Sequence, residues 1–181
     1  SAESMDYIAG ELRSALSVCP QLAIVLGGGN IMRGADTGRE GLRRHHVDQC
    51  GMMATIVNAL ALADQLDGAG IDATVMSATP VPGIATGFEV DGALDHMRGG
   101  SVVLLAGGTG NTYFTTDSAA ALRAVQLDAD LMLKATRVKG VFDSDPEKNE
   151  EARFHDRITY SDVLKKKLGV ASNLFILIIL F

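Results

Sequence analysis

The sequence predicts an α/β fold, a three-layer α/β/α sandwich around a mainly parallel central sheet. Short apolar runs of strand length, such as residues 22–26 and 102–106, alternate with longer segments that have helical apolar spacing. Each of these two runs is followed directly by a glycine-rich loop, as at the ligand-binding strand ends of open parallel sheets. The chain has 181 residues, 47% of them hydrophobic, which predicts one domain with a sizeable core.

The first half of the chain is predicted to contain two helices and two strands. Residues 3–18 read as an amphipathic helix that Pro20 ends, and strand 22–26 follows. Residues 35–47 are polar and irregular, so we expect a solvated loop that includes two adjacent histidines, which point apart and do not suit a shared metal. A helix from Asp48 to about residue 68 and a strand over 71–76 come next. The expected buried stripe of that helix is Met52, Met53, Ile56, Val57, Leu60 and Leu66.

The second half continues the alternation. Two prolines and two glycines in residues 79–87 predict a surface loop. Ser161 is a plausible N-cap for the last helix. The predicted elements are a short helix over 89–97, a strand over 102–106, a helix over 118–127, a strand over 130–136, a helix over 162–168 and a buried strand over 176–181.

Residues 107–117, with the sequence GGTGNTYFTTD, join strand 102–106 to the helix behind it. Three glycines permit a close backbone approach, the threonines and the asparagine offer donors, and a helix N-terminus adds N–H groups. This combination suits a ligand that carries phosphate. Asp117 repels phosphate, so it must cap the helix or position a lysine or a metal ion. The alternative is a capped loop that binds nothing.

Another glycine-rich loop, residues 27–34, follows strand 22–26. In chain order, residues 27–34 are the first loop and residues 107–117 are the second loop. Two such loops in one α/β chain suggest two phosphate groups, or one nucleotide and one acceptor. Asp48 is either the N-cap of its helix or a ligand-binding carboxylate. Arg43 and Arg44 are either solvated or contact an effector or a neighbouring subunit.

Composition excludes several classes of function. The net charge of −6 argues against nucleic acid as the main partner, because a phosphate backbone needs a basic face. The longest apolar run, residues 174–181, is too short to span a membrane, and no signal peptide is apparent. Cys19 and Cys50 are expected to be reduced, buried thiols, so a cytoplasmic location is the default.

Four blocks give the chain a specific resemblance to a known family. They are GGGNIMRG (27–34), DQCGMMATIVNALAL (48–62), GTGNTYFTTDSAAALRA (108–124) and LKATRVKGVFDSDP (133–146). In this order and spacing the chain resembles the bacterial-type uridylate (UMP) kinases, which have the amino-acid-kinase fold. The resemblance runs from residue 22 to residue 170.

The resemblance implies phosphorylation of UMP by ATP with Mg²⁺, and it implies a role for individual residues. Asp48 would accept hydrogen bonds from the ribose of UMP, Arg33 would contact the ATP phosphates and offset transition-state charge, and Asp117 would organise lysine and Mg²⁺. Lys134 is a weaker candidate for a phosphate contact. The remaining implied UMP-binding residues are Gly28, Thr109, Gly110, Asn111, Thr112, Tyr113, Phe114, Thr115 and Thr116. The remaining implied ATP-binding residues are Gly29, Thr136, Phe142 and Asp145, and Phe142 could equally be a core residue.

Three features depart from the family pattern. The family begins with a strand carrying Lys-Leu-Ser-Gly, so this single domain is expected to lack that phosphate-binding strand. The loop reads TGNTYFTT where the family usually has TGNPFFTT, which frees the backbone at Thr112 and adds a hydroxyl at Tyr113. Residues 171–181 do not continue the pattern, so part of the C-terminal region is also expected to be missing.

The resemblance leaves alternatives open. One is a kinase for carbamate, acetylglutamate or aspartate, although Asp48 and the loop at 109–116 weigh against it. Another is a non-catalytic nucleotide-binding or storage module. A dinucleotide-binding domain is a weak candidate, because no G-x-G-x-x-G occupies the required turn. The family also implies a homohexamer, activated by GTP and inhibited by UTP.

Overall fold

The computed structural model describes residues 2–32, 42–135, 140–146, 148–166, 168 and 176–180. Helices and strands alternate, as predicted. In chain order they are α1 (Ala2–Val18), β1 (Leu22–Leu26), α2 (Arg44–Gly68), β2 (Ala73–Ser77), β3 (Thr86–Gly87), α3 (Val90–Arg98), β4 (Val102–Ala106), α4 (Thr116–Gln126), β5 (Leu131–Lys134), β6 (Val141–Phe142), β7 (Phe154–His155), α5 (Tyr160–Lys166) and β8 (Ile176–Leu180).

The central sheet has six strands in the order β3-β2-β4-β1-β8-β5. The four strands from β3 to β1 are parallel to their neighbours. β8 runs antiparallel between β1 and β5, with Leu180 opposite both Leu22 and Leu131. The prediction of a mainly parallel sheet is therefore confirmed. The strand predicted near the end of the chain forms inside the sheet and not at its edge.

Both faces of the sheet are covered. Leu22, Ile24 and Leu26 of β1 belong to a core cluster that includes residues of α1 and α2. Ala23 and Val25 point to the opposite face, because side chains alternate along a strand, and they are equally buried. α2 packs on β1, β2 and β4, while α4 contacts β1, β5 and β8. Helices on both sides of the sheet explain why β1 and β4 are continuous apolar runs.

The second helix differs most from its prediction. It begins at Arg44, so the expected loop over 35–47 is wrong for its last four residues, and both histidines lie in the helix. Ile56 and Leu66 are buried as predicted, but Met53, Val57 and Leu60 are exposed. Alanines explain the error, because small residues let the helix approach the sheet on a face that the large apolar residues do not mark. The buried residues are Val47, Ala54, Thr55, Ile56, Ala59, Leu62 and Leu66.

Several local predictions also need correction. Residues 79–87 are not all surface loop, since they include β3 and the buried Ala85. Thr159, not Ser161, caps α5, because its Oγ1 accepts the N–H of Asp162 at 3.1 Å. Cys19 and Cys50 are thiols, but Cys50 is exposed rather than buried.

The chain divides into two compact units. Unit 1 comprises Ser1–Lys134 and Phe175–Phe181, and unit 2 comprises Ala135–Leu174. Unit 2 contains the antiparallel pair β6 and β7 together with α5, and Phe142 lies opposite Phe154 in that pair. The prediction of one domain is not tested by this division and stays a prediction.

Candidate active site

The two glycine-rich loops lie side by side at the carboxyl ends of the central parallel strands β1 and β4. β1 and β4 are adjacent and parallel, with Ala23 opposite Val103 and Val25 opposite Leu105. Their carboxyl ends, and the loops that begin at Gly27 and Gly107, therefore meet at the same edge. β2 is parallel on the other side of β4, which brings its last residue to this edge as well.

The first loop packs closely against α2. A Cβ at Gly28 would lie 2.5 Å from the carbonyl oxygen of Gly51 and 2.9 Å from the Cβ of Ala54. The carbonyl oxygen of Gly28 accepts the N–H groups of Ile31 and Met32, both at 3.0 Å, which closes the turn. Only glycine fits at this crossing of loop and helix, whatever else residue 28 contacts.

The second loop has an equally constrained first residue. Gly107 has φ +74°, and a Cβ there would lie 2.5 Å from Ser77 Oγ and 2.9 Å from the backbone nitrogen of Ala78. Its N–H donates to Thr55 Oγ1 at 2.7 Å. Side chains disfavour this backbone region, so both the conformation and the close contact require glycine.

Two polar residues of α2 hold both loops. Thr55 is 5% exposed, and its hydroxyl accepts from Gly107 while it donates to the carbonyl of Met52 at 2.6 Å. Asn58 donates to the carbonyl of Gly27 at 2.7 Å, and its amide pairs with that of Asn30 at 2.8 and 3.1 Å. Thr55 and Asn58 are three residues apart and share a helix face. Sequence reasoning missed both, although this spacing of polar residues in an apolar helix was a usable signal.

Asp48 lies on α2 one turn beyond its start. The helix N-cap is Arg43, so the interpretation of Asp48 as an N-cap is wrong. Its Oδ1 accepts from Arg44 Nε at 2.9 Å, and its Oδ2 accepts from the backbone N–H of Tyr113 at 2.9 Å. This second hydrogen bond holds the carboxylate of Asp48 against the second loop.

The second loop beyond Gly108 is half-buried at Thr109 and Thr112 and exposed at its other residues up to Thr115. Thr109 Oγ1 accepts the N–H of Asn111 at 3.1 Å. Tyr113 and Phe114 are 67% and 61% exposed, although aromatic side chains usually find cover. Thr115 caps α4, since its side chain accepts the N–H of Ser118 at 3.2 Å. The loop therefore presents aromatic and hydroxyl groups to solvent next to a helix N-terminus.

Asp117 forms an ion pair with Lys134 and does not cap α4. Thr115 is the helix cap, so the interpretation of Asp117 as the cap is wrong. Asp117 Oδ2 lies 2.8 Å from Lys134 Nζ at the end of β5, in agreement with the expected role of positioning a lysine. Asp117 Oδ1 is buried and has no hydrogen-bond partner among the described residues. That oxygen is available to a cation or a donor that a substrate brings.

Arg123 of α4 is a buried cation that sequence reasoning did not find. It is 6% exposed, and its guanidinium lies 4.0 Å from the ring centroid of Phe88. It donates to Gln126 Oε1 at 2.7 Å and, more weakly, to the carbonyl of Gly108 at 3.4 Å. Burial lowers the pKa of Arg123. Through the contact with Gly108, Arg123 of α4 supports the second loop.

Of the other predicted residues, two lie in unit 2, one lies in the first loop and two are outside the described residues. In unit 2, Phe142 packs on Phe154 with ring centroids 5.4 Å apart, and Asp145 Oδ2 lies 3.3 Å from Lys148 Nζ. A hydrogen bond from the backbone of Arg153 lowers the pKa of the neighbouring Asp143. Gly29 lies in the turn of the first loop. Arg33 and Thr136 lie outside the described residues, so their predicted roles stay predictions.

Among the described residues, no group of three or more His, Cys, Asp and Glu side chains is arranged to hold a metal ion. None of the helices in this part of the chain is long and apolar enough to cross a bilayer.

The fold and the paired glycine loops correspond to a known family. The profile of the amino acid kinase family matches residues 1–176, and the chain belongs to that family. Within it, the chain lies among the uridylate kinases. It is 48% identical over 168 residues to the uridylate kinase of Magnetococcus marinus and covers 70% of that protein, with 93% of this chain aligned. It is 44% identical over 166 residues to the Vibrio vulnificus uridylate kinase, with 92% of this chain and 69% of that protein covered.

Solved structures agree with the sequence relatives. The UMP kinase of Bacillus anthracis superposes with a TM-score of 0.88 at 31% identity, over 94% of this chain and 70% of that one. The UMP kinase of Ureaplasma parvum gives 0.87 at 33% identity, over 96% and 74%. The α/β fold predicted from the sequence is confirmed, as is the resemblance.

Proposed function

We propose that this chain catalyses the ATP-dependent phosphorylation of UMP to UDP by in-line phosphoryl transfer. The observation that carries the proposal is the pair of glycine loops at adjacent strand ends, both held by α2, in a chain that belongs with the uridylate kinases. Phosphoryl transfer needs positioning and charge neutralisation more than covalent chemistry. A rigid helix that fixes two loops relative to each other supplies the positioning.

The second loop and Asp48 form the acceptor side. Asp48 is an acceptor-only group beside the loop, which suits the hydroxyls of a ribose. Gly28 and residues 109–116 would surround the rest of UMP, with the exposed rings of Tyr113 and Phe114 available to the base. The N-terminus of α4 would favour the phosphate.

On the donor side, the ion pair of Asp117 and Lys134 would lie near the phosphates of ATP. Mg²⁺ is usually held in kinases by one or two carboxylates and the substrate phosphates, so a dedicated metal cage is not needed. Asp117 Oδ1, which is buried and has no hydrogen-bond partner among the described residues, fits such a cation, which would neutralise phosphate charge when ATP is bound. Lys134 would hold Asp117 in place. We assign Gly29, Arg33, Thr136, Phe142 and Asp145 to ATP on the resemblance.

An exposed apolar stripe on α2 supports assembly with further copies of the chain. Met53, Val57 and Leu60 recur at spacings of four and three residues and are 49%, 57% and 39% exposed. Such a stripe on a helix usually packs against another surface. We therefore extend the proposal to a homo-oligomer, a hexamer on the family pattern, with GTP and UTP as effectors. The reduced state of both cysteines supports a cytoplasmic location.

A turnover assay tests the proposal. The chain is incubated with ATP, Mg²⁺ and one acceptor at a time, and UDP or ADP is followed by phosphorus NMR. The acceptors are UMP, CMP, carbamate, acetylglutamate and aspartate, with the Magnetococcus marinus enzyme as positive control. We expect UDP from UMP alone. Transfer to a small acid would replace the proposal with a small-acid kinase, and UMP binding without transfer would replace it with a non-catalytic module.

A further inference from the structure

Three residues form a chain of contacts that links the start of α2 to the second loop. Arg44 Nε lies 2.9 Å from Asp48 Oδ1. Asp48 Oδ2 accepts the backbone N–H of Tyr113 at 2.9 Å. The guanidinium of Arg44 also lies 5.7 Å from the ring centroid of Tyr113, within the range of a cation–π contact. Arg44 therefore contacts both the carboxylate and the loop residue that the carboxylate holds.

Asp48 is the more buried partner of this ion pair. The side chain of Asp48 is 11% exposed, while that of Arg44 is 46% exposed. The two residues are four apart on one helix, so the backbone presents them to each other. With one carboxylate oxygen on Arg44 and the other on the loop, the orientation of the Asp48 carboxylate is fixed. Each oxygen can still accept a further hydrogen bond.

The backbone of Tyr113, the loop residue in this series of contacts, is conformationally constrained. Tyr113 has φ +67°, a region that bulky residues rarely occupy. The hydrogen bond to Asp48 and the contact between its ring and Arg44 both act on this residue. A change at Arg44 would therefore alter the carboxylate and the loop conformation together.

We propose that Arg44 is a positioning residue that sets the preference of the site for a ribonucleotide over a 2′-deoxyribonucleotide. It does so by holding the Asp48 carboxylate where it accepts the N–H of Tyr113 and can also accept hydrogen bonds from the ribose hydroxyls. This inference rests on the proposed function, because it takes Asp48 as the ribose-binding group. Sequence reasoning left Arg44 as a solvated, effector-binding or subunit-contact residue, and its contacts assign it to the acceptor site instead.

The experiment compares UMP with 2′-deoxy-UMP as ligand and as acceptor. Dissociation constants by calorimetry and kcat/KM with saturating ATP are measured for the chain, R44Q, R44K and R98Q. R98Q is the matched control, because Arg98 also pairs with an aspartate of its own helix, at 3.0 Å from Asp95, in α3. A hydrogen bond between the ribose 2′-hydroxyl and the charged Asp48 carboxylate should favour UMP over 2′-deoxy-UMP by about 10- to 100-fold in the unchanged chain.

In R44Q we expect the ratio of kcat/KM for UMP to kcat/KM for 2′-deoxy-UMP to fall by about 3- to 10-fold, and the ratio of affinities to fall likewise. The reason is that a misplaced Asp48 carboxylate makes a weaker hydrogen bond to the ribose. R44K retains the charge without the guanidinium and should keep an intermediate ratio, while R98Q should match the unchanged chain. Equal losses for both nucleotides in R44Q, with the ratio preserved, would overturn the inference and leave the proposed function intact. If circular dichroism shows that R44Q is unfolded, R44K replaces it: a lowered UMP to 2′-deoxy-UMP ratio of kcat/KM in R44K supports the inference, and an unchanged ratio overturns it. Failure of the unchanged chain to bind UMP would overturn the proposed function as well.

Discussion

Replacement of Thr55 by valine tests the claim that α2 holds the second loop. Valine has nearly the shape of threonine, and both are β-branched, so helix packing is preserved. The change removes the acceptor of the Gly107 N–H, a 2.7 Å hydrogen bond inside a buried region. A buried donor left without a partner costs about 1–3 kcal/mol.

That cost should appear as a lower midpoint of thermal unfolding. Each kcal/mol shifts the midpoint by about 2–4 °C for a chain of this size, so T55V should unfold about 2–12 °C lower. T55S retains the hydroxyl and is the control for the hydrogen bond. Circular dichroism gives the midpoint, and UMP titration gives the dissociation constant, which we expect to rise in T55V because the loop is no longer anchored.

A T55V midpoint and UMP affinity equal to those of the unchanged chain would refute this reasoning. A T55S variant as unstable as T55V would show that the hydroxyl alone does not anchor the loop, because serine keeps the hydroxyl and lacks only the methyl group.

Three further substitutions probe other parts of the site. G28A places a Cβ against backbone atoms of Gly51 in α2 and should cost about 1–3 kcal/mol in calorimetric unfolding. R123A removes a buried guanidinium that stacks on Phe88 and should cost about 2–4 kcal/mol in urea unfolding. D117N should lower kcat about 100-fold or more in steady-state assays, while it changes stability by less than about 1 kcal/mol, because the ion pair is partly exposed.

Each substitution has its own control. G10A in α1 meets no atom within 4 Å and should leave stability unchanged or raised, so a G28A variant as stable as G10A would contradict the packing argument. For Arg123 the control is R123K, which retains the positive charge. If R123A were as stable as the unchanged chain, Arg123 would not support the second loop. A D117N variant that keeps its kcat would exclude Asp117 from the active site.

The parts of the fold that the sequence predicted are those with local signals. β1 and β4 are apolar runs that end in glycines, and their lengths match the prediction. The interior position of β8 depends on pairing with β1 and β5, which are more than forty residues away, so no local signal marks it. The sequence also predicted both loops, but the hydrogen bond of Asp48 to the second loop was found only in the structure.

The residues that hold the site were harder to predict. Thr55 and Asn58 are ordinary polar residues of a helix, and their role follows from the crossing of α2 over both loops. Apolar spacing predicts that Met53 and Val57 are buried, and the structure exposes both, because spacing alone does not say which of two apolar faces meets the sheet. A buried arginine such as Arg123 has no sequence signal, since arginine is usually exposed.

Thermal unfolding with and without UMP tests the central claim, that α2 and the two glycine loops form an acceptor site for UMP. CMP and AMP serve as controls. A ligand at about a hundred times its dissociation constant stabilises by about 2.7 kcal/mol, which corresponds to a rise of about 5–11 °C in the midpoint. We predict that rise with UMP and a smaller one with CMP and AMP. Equal midpoints with and without UMP, under conditions in which the Magnetococcus marinus enzyme responds, would contradict the account.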